Sequence, residues 1–282
     1  MHIAYLIQCH KNPQQIKLFV DLLKLSTGDS VVIHVDAKCQ SVRDKLLLIF
    51  ESSPNVYIMQ NNIAVNWSGR TQLLATISML RFLQNNKINY DYCLLLSGED
   101  IIFDTQSLKK YLENKNNISF VEYRDDREKY LWRISACNIF RDNRFSQKSM
   151  VRILSSLFIR LQSVLNLRRG NFCNDEIYLG SQWFTISARH VSILLKAISP
   201  VFLDKFKFTS CSDEHFFQIL FKKYIKPDEY ECHNMRFIRF SEGHNSPDYL
   251  NVDELRKIAK MPDIYIARKV SFDVLADFNS QD

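Results

Sequence analysis

Two adjacent carboxylates, Asp213 and Glu214, stand at the start of the apolar run "SDEHFFQIL". A carboxylate within hydrogen-bond reach of a substrate hydroxyl can take its proton as a general base. The same residues also fit an ordinary helix start, with Ser212 as N-cap and the acids in the first turn, where the helix dipole favours negative charge by roughly 0.3–1 kcal/mol. The local sequence therefore leaves a catalytic base and a simple helix start as alternatives.

Other polar residues follow apolar segments that read as strands. Asp36 ends "VVIHVD", where its carboxylate could accept hydrogen bonds from a ribose or a base, or could cap the next turn. Glu99 and Asp100 follow "CLLLSG", where they could hold a divalent metal or contact sugar hydroxyls, although two adjacent acids make a weak metal signature. Cys9 and His10 close the first predicted strand and could flank the same nucleotide, although a single histidine is more often structural.

Two later segments also contain candidate ligand contacts. In "YLGSQWFTIS", Gly180 allows close backbone approach to a ligand beside Ser181, and Trp183 offers a flat face to a sugar ring or simply packs in the core. In "YIARKV", Arg268 and Lys269 form adjacent cations that could bind a diphosphate or could be a solvated pair.

The elements that would position these residues alternate along the first half of the chain. Predicted strands "HIAYLIQC", "SVVIHVD", "NVYIM" and "YDYCLLLS" are separated by amphipathic helical segments, a pattern typical of a mostly parallel sheet covered by helices. Ligands of such sheets bind beyond the carboxyl ends of the strands. We therefore expect a single α/β domain over residues 1–282, with a nucleotide-binding half at 1–104 and a less regular acceptor-side half at 105–282.

Composition narrows the class of protein. The 282 residues are 46% hydrophobic, which is ample for a core, and the net charge of +6 suits an anionic ligand but carries no nucleic-acid-binding signature. The seven cysteines are odd in number and contain no CxxC spacing, so we expect reduced thiols in a cytosolic protein. The N-terminus reads as a strand and not as a signal peptide, and no apolar run approaches the ~20 residues of a membrane span.

Residues 147–169 form a distinct basic segment, "QKSMVRILSSLFIRLQSVLNLRR", which contains no acid. Its apolar residues recur at helical spacing with arginines between them. Such a helix could lie on an anionic membrane face, or it could pack on the core with solvated arginines.

Taken in order, the blocks "AYLIQCHKNPQQIKLF", "VVIHVDAK", "LLLSGED", "YLGSQWFTISARHV", "SDEHFFQIL", "MRFIRF" and "YIARKV" resemble the core-2/I-branching glycosyltransferase family, which includes peptide O-xylosyltransferases. The resemblance runs from about residue 3 to residue 272. It implies a GT-A fold with a Rossmann-like sheet and an inverting transfer from a UDP-sugar. The chain resembles a compact bacterial member, without the membrane anchor and paired cysteines of the animal enzymes.

The resemblance also implies residue roles. Glu214 matches the catalytic base, Lys269 with Arg268 the diphosphate contact, and Asp36 with Gln8, Cys9 and His10 the nucleotide pocket. The expected substrate-binding residues are Glu99, Asp100, Gly180, Ser181, Trp183, Asp213 and Phe240. A diphosphate held by lysine and arginine implies that no metal or other cofactor is required.

One position departs from the family pattern. Many relatives carry a second phosphate-binding arginine where this chain has Asp248. Arg268, Arg239 or His244 could take its place, and the sequence does not choose among them.

The expected activity is transfer of a GlcNAc-type sugar, xylose or galactose to a glycan hydroxyl, in bacterial surface polysaccharide or lipooligosaccharide assembly. The protein would be cytoplasmic, with possible peripheral contact with the inner membrane through residues 147–169 and a lipid-linked acceptor. Two alternatives remain at this point. One is a glycoside hydrolase with Glu214 and Asp100 as its carboxylate pair, and the other is a non-catalytic glycan- or membrane-binding module.

Overall fold

The computed structural model describes residues 1–243 and 246–280. Within them, the strands are β1 (Ile3–Cys9), β2 (Ser30–Val35), β3 (Val56–Ile58), β4 (Tyr92–Ser97), β5 (Asp100–Ile102), β6 (Ser119–Tyr123), β7 (Gly180–Ser187), β8 (Tyr230–Glu231), β9 (Arg236–Ile238) and β10 (Ile266–Arg268). The helices are α1 (Pro13–Leu22), α2 (Gln40–Ile49), α3 (Arg70–Asn85), α4 (Thr105–Asn114), α5 (Trp132–Ser135), α6 (Ser149–Val164), α7 (Ala188–Ala197), α8 (Pro200–Asp204), α9 (Phe216–Tyr224), α10 (Val252–Ile258) and α11 (Phe272–Ser280).

The chain forms two compact units that interleave along the sequence. The first unit comprises Met1–Asn62, Ile88–Ile118 and His233–Asp282, and the second comprises Ile63–Lys87 and Ser119–Cys232. The predicted α/β class with a mostly parallel sheet is confirmed. The single-domain prediction with halves at 1–104 and 105–282 stays a prediction, and the unit boundaries lie elsewhere.

In the first unit, four strands run parallel in the order β3-β2-β1-β4. Strand β1 lies between β2 and β4, so Gln8 is opposite both His34 and Ser97. Every residue of β2 and β4 is buried, which explains why these strands read as continuous apolar runs. The turns that follow β1, β2 and β4 consequently meet at one edge of the sheet.

A second, three-stranded sheet in the same unit has the order β5-β10-β9. Strand β10 runs antiparallel to β5 and parallel to β9, which puts Arg268 opposite both Asp100 and Ile238. This pairing brings the C-terminal "ARK" segment to the residues that follow β4.

The second unit contains β7, β6 and β8 in that order, with β6 antiparallel to β7 and parallel to β8. A register shift between Val121 and Tyr123 sets Gly180 opposite Tyr123. At Gly180 an added Cβ would collide with the carbonyl oxygen of Glu122, so the bulge requires glycine there. Phenylalanines from α8, α9, β7 and the following segments pack together, with ring centroids 4.8 Å apart for Phe184 and Phe217.

The cysteines and the helices can be compared with what the sequence predicts. All seven cysteines are free thiols in the described structure. Of the helices in residues 1–243 and 246–280, none combines the length and the apolarity needed to cross a bilayer.

A buried ion pair fixes the N-terminal edge of the first unit. The Asp29 carboxylate accepts hydrogen bonds from the backbone N–H of Ile3 (2.9 Å) and Ser26 (2.8 Å) and pairs with Lys109 Nζ at 2.5 Å. The side chains of Asp29 and Lys109 are 0% and 8% exposed. Removal of one partner would leave an uncompensated buried charge, a change that typically costs about 3–5 kcal/mol.

We therefore expect Asp29→Ala to lower the free energy of unfolding by about 3 kcal/mol or more, as measured by urea denaturation. Asp21→Ala is the matched control, because Asp21 pairs with Lys17 on the exposed face of α1. Its change should stay within about 0.5 kcal/mol. Equal losses in the two variants would contradict a special contribution from the buried pair.

Candidate active site

The predicted strand-end residues of the first unit lie where the sequence places them. Gln8 and Cys9 end β1, Asp36 follows β2, and Glu99 and Asp100 follow β4. The backbone N–H of Asp36 donates to the carbonyl of Cys9 at 2.9 Å, so the first two of these turns are joined directly. The nucleotide role of these residues stays a prediction.

Asp36 itself makes local contacts. Its carboxylate accepts from the Lys38 backbone N–H at 3.0 Å and lies 3.4 Å from Lys38 Nζ, so the turn-capping alternative is what the structure shows. A carboxylate oxygen accepts more than one hydrogen bond, so capping is compatible with a ribose or base contact as well.

The neighbouring Cys9 and His10 are uncharged at neutral pH. Burial raises the pKa of the Cys9 thiol to about 12. Desolvation and the adjacent Lys11 lower the pKa of His10 from its ordinary value. Cys9 is therefore not a reactive thiolate and His10 is not a cation, and the expected nucleotide contact of both residues stays a prediction.

Asp100 forms the centre of a buried ion network. Its carboxylate accepts from the backbone N–H of Ser97 at 3.0 Å and lies 3.0 Å from Arg268 Nη1 and 3.5 Å from Arg236 Nη2. Arg268 also donates to the Ser97 hydroxyl, and Arg236 donates to the carbonyl of Leu95 at 2.9 Å. Asp100 is 0% exposed, so its position favours a role in holding Arg268 over the expected sugar contact, which stays a prediction.

Glu99 gathers two lysines and a tyrosine, a group that we call the Glu99 cluster (Lys11, Glu99, Tyr249 and Lys269). Its carboxylate pairs with Lys11 Nζ at 2.9 Å and with Lys269 Nζ at 3.1 Å, and it accepts from the Tyr249 hydroxyl at 2.5 Å. Lys269 Nζ also lies 4.7 Å from the centre of the Tyr249 ring. One carboxylate with two ammonium groups leaves an excess of positive charge, which suits an anionic ligand.

Electrostatics keep Glu99 and Lys11 ionised. Burial raises the pKa of Glu99, but hydrogen bonds from Tyr249, Lys11 and Lys269 outweigh it, so the pKa lies below its ordinary value. The hydrogen bond to Glu99 raises the pKa of Lys11. Both groups are therefore charged at neutral pH, and the expected contact of Glu99 with a sugar hydroxyl competes with these existing partners.

The structure distinguishes the residues that could replace the phosphate-binding arginine missing at position 248. Asp248 lies 3.3 Å from Arg239 Nε, and Arg239 also pairs with Glu254, so Arg239 is held by two carboxylates. Arg268 is held by Asp100. His244 lies outside the described residues. Lys11, which the sequence analysis did not select, is the additional cation found beside Lys269.

In the second unit, the helix start expected at Ser212 is wrong. Ser212–Glu214 form a single 3-10 turn, and α9 begins only at Phe216 because His215 departs from helical geometry, with φ −123°. The Ser212 hydroxyl is buried without a hydrogen-bond partner among the described residues, so it is not a cap. The acids therefore do not occupy the first turn of α9, and the helix dipole no longer explains their presence.

Glu214 is held by an arginine. Its Oε2 accepts from Arg133 Nη1, and the Arg133 guanidinium lies 4.3 Å from the centre of the Tyr130 ring. The side chain of Glu214 is 30% exposed and that of Arg133 is 15% exposed. Glu214 is thus a partly exposed carboxylate held in place by Arg133, and its role as a general base stays a prediction.

Asp213, its neighbour, is buried. Desolvation and the adjacent charge of Glu214 raise the pKa of Asp213 to about 7. Among the described residues, its Oδ1 has no hydrogen-bond partner. The substrate contact expected of Asp213 stays a prediction. Burial of the Asp213 side chain favours a structural role inside the second unit.

The residues after Glu214 attach α9 to β7. His215 is fully buried, and desolvation lowers its pKa to about 3, so the neutral ring donates from Nδ1 to the carbonyl of Tyr178 at 2.7 Å. Gln218 donates to the carbonyl of Ser181 at 2.7 Å. Gly180 and Ser181 therefore lie at the base of the Glu214 turn, within the same unit.

The two aromatic candidates differ in exposure. Trp183 is 8% exposed, which favours the core-packing alternative over a sugar platform. Phe240 is 56% exposed in the first unit, which suits the expected acceptor contact. Both roles stay predictions.

Sequence reasoning missed Lys11, Tyr249, Arg133 and Tyr130. Lys11 could have been found, because it follows the carboxyl end of β1 in "CHKNP". Arg133 carried no such signal, since its partner Glu214 lies 81 residues away.

Among residues 1–243 and 246–280, no group of three or more His, Cys, Asp or Glu side chains is arranged to hold a metal ion. The expectation that the site works without a metal stays a prediction.

The chain is similar in sequence to known proteins. The sequence profile of the Core-2/I-Branching enzyme family matches residues 3–259. A human protein, probable beta-1,3-galactosyl-O-glycosyl-glycoprotein beta-1,6-N-acetylglucosaminyltransferase 7, is 28% identical over 117 residues, which are 40% of this chain. The chain spans about a quarter (26%) of the length of that curated relative.

Solved structures give weaker similarities. Mouse xyloside xylosyltransferase 1 in its apo form is 10% identical to this chain, with a TM-score of 0.44 over 95% of this chain and 97% of its own. A mannosyltransferase from Pyrobaculum calidifontis, in complex with GDP-Man and Mn²⁺, has a TM-score of 0.33 at 10% identity over 48% of this chain and 39% of its own.

The profile match covers most of the chain and includes the turns after β1, β2 and β4, the Gly180–Ser181 pair and the Glu214 turn. The protein belongs to the Core-2/I-Branching enzyme family of glycosyltransferases.

Proposed function

We propose that the protein is an inverting glycosyltransferase that moves a sugar from a UDP-sugar to a hydroxyl of a glycan acceptor. The observation that carries the proposal is the Glu99 cluster, in which Lys11 and Lys269 meet at the carboxyl edge of a parallel sheet. That edge is where α/β proteins bind their ligands, and the paired ammonium groups suit a diphosphate.

The leaving diphosphate is the first chemical requirement of this reaction. Negative charge develops on it as the glycosidic bond breaks, and fixed cations stabilise that charge. Lys269 is held by Glu99 and by the Tyr249 ring, so its ammonium group is positioned before the donor binds. Lys11 supplies the second cation in place of the arginine that position 248 lacks, and Glu99 is the positioning residue for both lysines.

Activation of the acceptor is the second requirement. A sugar hydroxyl is a poor nucleophile, and Glu214 would take its proton as the new bond to the anomeric carbon forms. Arg133 donates to Oε2, and because a carboxylate accepts several hydrogen bonds the acceptor hydroxyl has room to approach the group as well. Attack of the activated hydroxyl from the side opposite the departing UDP inverts the anomeric centre.

The hydrolase alternative receives no support from the geometry of Asp100. A carboxylate pair requires both acids to reach the substrate, but Asp100 is 0% exposed and paired with Arg268 and Arg236.

The donor and the acceptor are part of the same proposal. GlcNAc is the first donor sugar to test, since the human relative is described as an N-acetylglucosaminyltransferase, and xylose and galactose follow from the family. The acceptor is a glycan of bacterial surface polysaccharide or lipooligosaccharide assembly, lipid-linked and used at the cytoplasmic membrane face. The free thiols and the basic segment at 147–169 support that placement.

Glu214→Gln should lower sugar transfer by about 100-fold or more, because an amide cannot accept the proton. UDP release is measured with the most active donor of a UDP-sugar panel, and UDP affinity by calorimetry. UDP affinity should be unchanged, and Glu128→Gln, on the exposed 3-10 helix at Asp125–Tyr130, should behave as the wild type. Near-normal turnover of Glu214→Gln would remove Glu214 as the base.

Lys11→Met and Lys269→Met should each weaken UDP binding by about tenfold or more, since each removes a charge-assisted contact to phosphate. Affinity is measured by calorimetry in excess EDTA, once with UDP and once with uridine. Because uridine lacks the diphosphate, the difference between the two isolates the lysine–phosphate contact. Uridine binding should be unaffected, and Lys17→Met on α1 serves as a surface-lysine control. Equal losses for uridine and UDP, or UDP binding that needs Mn²⁺, would contradict metal-free binding by these lysines.

Asp213 should make stability depend on pH. Its pKa is raised from 3.8 to about 7 in the folded state, so the folded chain binds the proton more tightly than the unfolded chain. The free energy of unfolding should therefore fall as pH rises from about 4 to above 7, and Asp213→Asn should make that fall shallower. Urea denaturation across this range checks it, with the exposed Asp228→Asn as the control. Parallel pH profiles for the wild type and Asp213→Asn would show that Asp213 does not titrate in this range.

A further inference from the structure

Helix α6 exposes its apolar side chains. Six of them form what we call the α6 strip, with exposed fractions from 49% for Leu154 to 83% for Val164. The strip consists of Met150, Ile153, Leu154, Leu157, Leu161 and Val164. Their spacing of three and four residues aligns them along one side of the helix, which is about 24 Å long at 1.5 Å per residue.

The opposite side of α6 is less exposed, and it combines the half-buried apolar side chains of Val151, Phe158 and Ile159 with two buried polar ones. Ser155 and Gln162 are buried, although both are polar. Gln162 donates to the carbonyl of Cys137 at 3.0 Å and accepts from its N–H at 2.7 Å. Phe158 meets Phe140 edge to face, with centroids 6.0 Å apart. These contacts fix the rotation of the helix, so the strip is held outward.

The residues around the strip are basic. Lys148, Arg152, Arg160 and Arg168 are all exposed, and no acid occurs from residue 147 to residue 170. Leu165 and Leu167, beyond the end of α6, extend the exposed apolar surface at 56% and 57%. An apolar patch of this extent marks an interaction site, and its charge predicts the sign of the partner.

We propose that the α6 strip docks on an anionic phospholipid bilayer, with its apolar side chains between the acyl chains and the flanking lysine and arginines at the lipid phosphates. Apolar burial and attraction to anionic headgroups then act together, as in helices that lie in the membrane interface. A second copy of the chain fits less well, because two such surfaces bring basic residues together without an acid to pair them. Membrane docking rests on the proposed function in one respect, because a lipid-linked acceptor would explain why the enzyme binds a membrane. Docking itself requires no donor sugar.

The test is cosedimentation of the full chain with phosphatidylglycerol-containing vesicles and with pure phosphatidylcholine vesicles, without nucleotide. The wild type should bind the anionic vesicles and not the neutral ones. Leu157→Glu should weaken binding by about tenfold or more, because a charge replaces a buried leucine. Arg152→Gln and Arg160→Gln should each weaken it by about fivefold and make it less sensitive to salt.

Leu48→Glu is the matched control, since Leu48 is an exposed leucine (74%) on α2 and lies outside the strip. It should bind vesicles as the wild type does, and so should Glu214→Gln, which separates failure of docking from failure of the transfer proposal. Circular dichroism and UDP affinity verify that each variant is folded.

Equal binding of the wild type to both kinds of vesicle, binding to neither, or undiminished binding of Leu157→Glu would overturn the proposal. A second result would also overturn it: the wild type forms a dimer in sedimentation velocity and does not bind vesicles, and Leu157→Glu abolishes the dimer. The α6 strip would then be an interface between copies of the chain.

Discussion

The buried carboxylate of Asp100 determines where the last strand of the first unit lies. It joins the residues after β4 to Arg236 on β9 and Arg268 on β10, in a position where an unpaired charge would be strongly unfavourable. Because β10 is held there, Lys269, the next residue, reaches Glu99 and Tyr249. The ion network of Asp100, Arg236 and Arg268 thus positions Lys269, the adjacent residue, whose ammonium group the proposed reaction needs.

Local sequence predicted the frame of this site well. Apolar runs marked β1, β2 and β4, and in a parallel sheet their carboxyl ends must meet, so Cys9, Asp36 and Glu99 were found from pattern alone. The proximity of Lys269 to Glu99 was not predicted, since the pairing of β5 with β10 joins residues about 170 positions apart and β5, β9 and β10 are only three residues long. Strands this short have no periodicity to detect.

The turn around Glu214 shows the opposite case, in which the local structure predicted for a candidate site residue is wrong. Ser212, Asp213 and Glu214 have the composition of a helix start, but the left-handed Cys211 (φ 48°) and the kink at His215 isolate them in one 3-10 turn. The contacts that impose this shape come from Ser68 and Tyr178, both distant in sequence. Propensity alone cannot foresee such tertiary constraints.

The outward rotation of α6 has a consequence for how an acceptor would be found. If α6 lies in the lipid surface, the second unit can rotate only about the membrane normal. Its translation is then confined to diffusion in the membrane plane. Encounters with a glycan carrier in that leaflet then become a two-dimensional search, and the number of carriers per unit area, not per unit volume, sets their frequency. The same three contacts that hold Gln162 and Phe158 inward, two with Cys137 and one with Phe140, would decide which side of the unit faces the lipid.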